Sequence, residues 1–175
     1  YFLLTLPSKN HIQFFINGID NEFEVDWDVA NPLDLNISGS EDNKTFLEYV
    51  KFLGEQRPIA DEYSKRMMIA DSTGVEDLEA KKKLKEIEDK VNARQLQIIL
   101  DMPESLTARF ISSSRSPDVP EFEEGPESQL AKYYYLRTHY FDNIDLGDPT
   151  NLRTPFLHGR INFYMENITP KDPDS

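Results

Sequence analysis

The sequence predicts an α+β chain, an antiparallel β-meander of about four strands followed by a mostly α-helical domain. Three observations carry that expectation. Residues 1 to 39 alternate with period two, as strands with one buried face do. At Gly39 the period lengthens to the three-and-four spacing of helices. Aromatic residues then concentrate between Ala131 and Pro170, where a helical core is expected.

The strands come first. Phe2, Leu4 and Leu6 alternate with Leu3 and Thr5, and Ile12, Phe14 and Ile16 with Gln13 and Phe15. Asn17-Gly18 marks a turn, because both residues tolerate positive φ. Phe23, Val25 and Trp27 alternate with Glu24, Asp26 and Asp28, and Leu33, Leu35 and Ile37 with Asp34 and Asn36. The acidic face belongs in water. The apolar face requires a cover, from the helices or from strands upstream.

Ser40 is expected to cap a first helix that carries Phe46, Tyr49, Val50 and Leu53 inward. Pro58 should kink or end it near Gln56, with helical spacing resuming at Ile59, Tyr63 and Met67 until Asp71-Ser72-Thr73-Gly74 closes it. From Val75 to Met102 a long helix presents Ala80, Leu84, Ile87, Val91, Arg94 and Ile98, a stripe that suits an intramolecular hairpin and also a coiled-coil seam. Lys81, Lys82 and Lys83 lie among Glu79, Glu86, Glu88 and Asp89 and read as a solvated face of paired charges. Pro103 or Glu104 opens a further helix, and residues 112–126 form a loop, read as a tether rather than a lid.

In the aromatic region Leu130, Tyr133, Tyr134, Arg137, Tyr140, Phe141 and Ile144 define one helix face, taken as core. Asp148-Pro149 stops that helix. Thr154 and Pro155 open the last one, whose apolar face is Leu157, Ile161, Tyr164, Met165 and Ile168. On this reading residues 1–39 are the end of a β-sandwich-like module and residues 40–175 a helical domain.

Composition narrows the function classes. With 175 residues, 38% hydrophobic and 29% charged, the chain is long and apolar enough to bury a core. A net charge of −13 argues against a nucleic-acid partner, whose affinity comes largely from lysine and arginine on phosphates. No run approaches the roughly 20 apolar residues of a membrane helix. Cysteine is absent, so no disulfide, thiolate nucleophile or zinc-thiolate site exists within these residues. The chain starts inside a strand without an initiator Met and stops at Asp172-Pro173-Asp174-Ser175, which reads as a segment of something larger.

Catalytic motifs are missing: no G-x-S-x-G, Walker-type loop, H-E-x-x-H or G-x-G-x-x-G occurs. His11 starts a strand, and His139 and His158, set among tyrosines, suit packed hydrogen-bonded residues better than bases. Asp142, Asp145 and Asp148 around Gly147 offer oxygens of the kind Ca²⁺ takes, but at the wrong spacing for an EF-hand; as turn and cap residues they need no metal. No catalytic residue, metal or other cofactor is assigned. Tyr133, Tyr134, Tyr135 and Tyr140 could offer a stacking platform, though helical spacing favours core. Tyr135, His139 and Asp142, on the face opposite the stripe, are with Arg153 and Arg160 the candidate binding residues.

These residues also carry a resemblance. YYYLRTHYFDNIDLGDPTNLRTPFLHGRINFYMENITPKDPDS, from Tyr133 to Ser175, closely resembles the signature of a helical domain of unknown function in Bacteroidetes thioredoxin-like proteins, which are similar in organisation to TlpA-type thiol:disulfide oxidoreductases. YFLLTLP and the strands up to SGSEDNKTFLEYVKFL (Ser38 to Leu53) resemble the end of the β-sandwich module that precedes that domain. The resemblance spans nearly the whole chain. It implies an exported protein, periplasmic or lipid-tethered in the cell envelope, with a Cys-x-x-Cys thioredoxin-fold domain downstream. This segment would then be a non-catalytic accessory region that positions that domain or engages a client protein. The family's motif cysteines have no counterpart here, so no catalytic residue is carried over. Two other readings stand beside it: a glycan- or peptide-binding module using the tyrosine-rich surface, and a hydrolase built on carboxylates and His139.

Overall fold

The computed structural model of the chain describes residues 2–5, 11–20, 22–28, 35–123, 125 and 127–169. Leu6, Leu33, Asp34 and the terminal Asp172 to Ser175 of the sequence reading lie outside them. By compactness the chain divides into residues 1–108 and 109–175. The change from strand to helix falls earlier, at Gly39 and Ser40.

The α+β class expected from the sequence is the class observed. In the first unit β1 (Phe2–Thr5) pairs antiparallel with β2 (His11–Phe14), and β3 (Glu24–Trp27) with β4 (Leu35–Ser38). The strands fall where the alternation puts them, but among the described residues they form two two-stranded sheets, without a β2–β3 pairing. The reason lies just past β2. The backbone of Phe15 is taken by a side chain instead of a strand: its N–H donates to Asn43 Oδ1 at 2.6 Å, and its carbonyl accepts from Asn43 Nδ2 at 2.9 Å. An amide side chain thus stands in for a neighbouring peptide group. The Asn17-Gly18 turn forms as an Asx turn, with Asn17 Oδ1 accepting from the amides of Ile19 and Asp20 and Gly18 at φ 76°.

Gly39, at φ 83°, joins β4 to the helices, and a Cβ there would sit 3.0 Å from the carbonyl of Glu22. Ser40 then caps α1 (Glu41–Thr73), accepting from the Asn43 amide at 3.3 Å. The first turn of this helix organises the unit. Asn43, 1% exposed, holds Phe15, while Asp42, 5% exposed, accepts from the amides of Leu106 and Thr107 at 3.0 and 2.9 Å. Asp42 therefore caps a distant helix, α3 (Leu106–Ser114). Thr107 returns the bond through its hydroxyl to the Asp42 carbonyl at 2.9 Å. Phe15 and Phe46 meet edge to face at 4.7 Å beneath these bonds, and Ile12 and Ile37 are buried, so the start of α1 helps supply the cover the sheets need.

Pro58 does not end α1, which runs through it for 33 residues. A mid-helix proline costs about 3 kcal/mol, and tertiary packing along α2 (Leu78–Asp101) is what offsets it. The two helices form the antiparallel hairpin expected. Gln95 donates to the Tyr49 hydroxyl at 2.7 Å near one end, and at the other Arg66 bridges both Asp77 oxygens, at 2.9 and 3.0 Å, and Glu79 at 2.8 Å. Gly74 (φ 70°) closes α1 in the left-handed conformation, and Asp77 caps α2 by accepting from Ala80. Lys81 and Lys82 are exposed and Lys83 is half-buried, and they pair with Glu76 and Glu86 on a largely solvated face. The helix expected to open at Pro103 or Glu104 starts instead at Leu106, where Ser105 accepts from Ala108.

Substituting Asn43 by Ala removes both of its side-chain bonds to the buried Phe15 backbone and should cost about 2–4 kcal/mol. Ser40→Ala, which removes one cap bond, should cost about 1 kcal/mol. Equal losses for the two in urea unfolding would contradict the role given to Asn43.

Candidate functional site

The candidate binding residues all fall in the second unit. Here α3 continues to Ser114, three residues into the segment expected to be loop, and Ser113 and Ser114 return their hydroxyls to the carbonyls of Arg109 and Ile111. Irregular chain leads to α4 (Ser128–His139), and a tight 3-10 turn (Pro149–Arg153) precedes α5 (Pro155–Phe163), which ends in a π turn over Tyr164–Ile168.

The aromatic stripe is only half inward. Ile144 is buried and Tyr133, Tyr140 and Phe141 are partly covered, but Leu130 (53% exposed), Tyr134 (54%) and Arg137 face water. The last helix departs in the same way. Leu157 and Ile168 are buried, yet Ile161 and Met165 are exposed, and Arg160 stands on the inner side in place of Ile161. Hydrogen bonding explains the exchange. Arg160 donates to the carbonyl of Tyr140 at 3.1 Å and to that of Arg115, closing two chain ends at once, and its guanidinium lies 5.2 Å from the centre of the Tyr140 ring. Burial lowers its pKa from the ordinary value, leaving it fully charged at neutral pH.

Tyr135, His139 and Asp142 form one connected set. The Tyr135 and His139 rings stack with centres 4.2 Å apart at 22°, and His139 Nδ1 lies 2.7 Å from Asp142 Oδ2. Tyr135 is not the open surface residue the spacing suggested. Its hydroxyl donates to the Asp118 carbonyl at 3.1 Å, and Phe122 meets its ring edge-on at 6.2 Å. Together with Asn143, which donates to the carbonyl of Ser116 at 2.8 Å, it fastens residues 116–122 against α4. Arg153 is exposed at the end of the 3-10 turn, and no bond joins it to the other four candidates. Arg160, tied to Tyr140 and Arg115, also makes no bond to Tyr135, His139 or Asp142.

The aspartates act as turn formers. Asp145 Oδ1 accepts from the Gly147 amide at 2.8 Å. Asp148 accepts from both the amide and hydroxyl of Thr150 and pairs with Arg109 at 3.1 Å. These bonds, Thr150 foremost, hold the Asp148 carboxyl below the usual carboxylate range. Thr154 occupies the expected N-cap position before Pro155, but its hydroxyl donates backward to the Asn151 carbonyl at 2.9 Å instead of capping. Among the described residues no three His, Asp or Glu side chains gather as metal ligands.

A histidine–aspartate pair can hold and pass a proton. Among the described residues no hydroxyl is bonded to the other nitrogen of His139, and the pair is half open to solvent, with side-chain exposures of 42% and 56%. Of the three, Tyr135 holds backbone, while His139 and Asp142 pair with each other. Spacing places these residues together but does not reveal the Asp118 carbonyl that Tyr135 reaches, which only the fold brings close. It also misses a groove at the far end of the α1–α2 hairpin, where Ile69, Val75 and Leu78 face solvent. Among known proteins, no family model, curated protein or solved structure matches this chain.

Two outcomes follow from this geometry. Arg160→Lys cannot serve both carbonyls and should destabilise the chain by about 1–2 kcal/mol, whereas Arg153→Ala should change stability by less than about 0.5 kcal/mol in the same unfolding assay. The depressed Asp148 carboxyl contributes stability that is fully present above the ordinary carboxylate pKa of about 4 and is lost as pH falls through its lower folded value. Asp148→Asn should therefore flatten the acid limb of the stability profile in that window and lower stability at neutral pH.

Proposed function

We propose that this chain is a non-catalytic interaction module, the N-terminal accessory region of an exported thioredoxin-like thiol:disulfide oxidoreductase. It would lie in the periplasm or be lipid-tethered at the cell envelope, position its own downstream thioredoxin-fold domain and engage a client protein. The observation that carries the non-catalytic part is the use of the polar side chains. Tyr135, Arg160, Asp145 and Asp148 all bond to the main chain, while Leu130, Tyr134, Leu152 (76% exposed) and Met165 (60% exposed) are left outward. Polar groups spent on scaffold and apolar groups offered to the surface suit recognition better than chemistry. The redox context rests on the resemblance of Tyr133 to Ser175 and of the strands to the thioredoxin-like proteins named above. No helix among the described residues is long and apolar enough to cross a membrane.

The second reading, a glycan- or peptide-binding module, is favoured by the exposed ring of Tyr134, 5.6 Å from that of Tyr133. Calorimetry against oligosaccharides and unstructured peptides separates the two, since the accessory role expects no heat from free glycans.

The accessory reading expects no thiol reductase turnover from this chain, turnover once the downstream coding region is included, and altered client choice in Arg153→Ala of that longer protein. A downstream frame without Cys-x-x-Cys inside a βαβ pattern would reject it.

A further inference from the structure

At the turn between α1 and α2, Met68, Ile69, Val75 and Leu78 are 72%, 63%, 67% and 66% exposed, four large apolar side chains within eleven residues. Ile69, Val75 and Leu78 line an open groove of about 420 Å³ whose polar wall is Arg66, Glu76 and Asp77. Such a grouping is uncommon on a surface without a partner.

The charges around it are unequal. The Arg66 guanidinium is shared between two carboxylates, Asp77 and Glu79, and among the described residues Glu76 pairs with the exposed Lys81 alone, at 3.4 Å. Backbone charge points the same way. The C-terminal end of α1, the negative end of its dipole, opens at this turn with no basic residue in its last turn. The positive start of α2 is already met by Asp77 and Glu79. The chain as a whole carries −13, which disfavours a second copy as occupant.

We infer that this groove docks a peptide segment of a partner protein that carries a large aliphatic or aromatic side chain next to a lysine or arginine. The apolar side chain fills the space over Ile69 and Val75, and the cation meets the α1 terminus and Glu76. This gives a partner chemistry to the interaction role proposed above and rests on that reading, but its test reads the hairpin end alone. It therefore fails separately from any assay of redox context or of Arg153.

The test uses the chain as it stands and two synthetic helical peptides, one of leucine and lysine and one of leucine and glutamate, followed by calorimetry and amide NMR shifts. The leucine–lysine peptide should bind with shifts centred on Ile69 to Leu78, and the leucine–glutamate peptide should bind at least roughly tenfold more weakly. Ile69→Asp and Val75→Asp add negative charge, so non-specific attraction to an acidic protein would rise in them. Docking in the groove instead requires a loss of roughly tenfold, the scale of one aliphatic side chain left unburied. Leu146→Asp, at a position 63% exposed in the other unit, should bind as the parent does. Equal binding to parent and groove variants, shifts centred elsewhere, or no binding would overturn the proposal. So would a dimer in sedimentation that Val75→Asp dissociates, which would assign the groove to a second copy.

Discussion

The first unit depends on a constraint in the first turn of α1. Asp42 and Asn43 are adjacent, nearly inaccessible and polar, and each completes the backbone of a segment far away in sequence, Asp42 at α3 and Asn43 just past β2. Burying a carboxylate and an amide is costly unless every oxygen and hydrogen finds a partner. Here the partners are main-chain groups that would otherwise be orphaned, so each side of the arrangement removes a penalty from the other. Strand hairpins too short to persist alone acquire a fixed place beside a helix through it.

The same logic recurs in the second unit with longer side chains. Arg160 reaches the carbonyls of Tyr140 and Arg115, and Tyr135 and Asn143 reach those of Asp118 and Ser116. Irregular chain between α3 and α4 is thereby held by donors on α4, on the turn after it and on α5. A segment whose composition suggests a tether is in fact strapped down where these donors reach it.

Much of this architecture was legible from periodicity and punctuation. Strand positions, the Ser40 cap, the Gly74 closure, the α1–α2 hairpin and the Thr154-Pro155 start all follow from local chemistry, and local chemistry is what a sequence displays. The departures share a cause in contacts between residues far apart in sequence. Asn43 replaces a strand partner, α2 packs along α1 through Pro58, and Arg160 displaces Ile161 from the inner face because two carbonyls await it. None of these leaves a mark in spacing. Of the candidate residues, Tyr135, His139 and Asp142 adjoin, as their three- and four-residue spacing suggests, while Arg153 and Arg160 make no bond to them.

Pro58 has a mechanical consequence. Lacking an amide hydrogen, it leaves the carbonyl of Gly54, one turn earlier, without a donor from the ladder, and Gly54 has no side chain to stiffen that turn. The cross-links of the hairpin sit on either side, at Tyr49 with Gln95 and at Arg66 with Asp77. The rod is thus clamped on either side of residues 54–58, the stretch where its own ladder of hydrogen bonds lacks a donor.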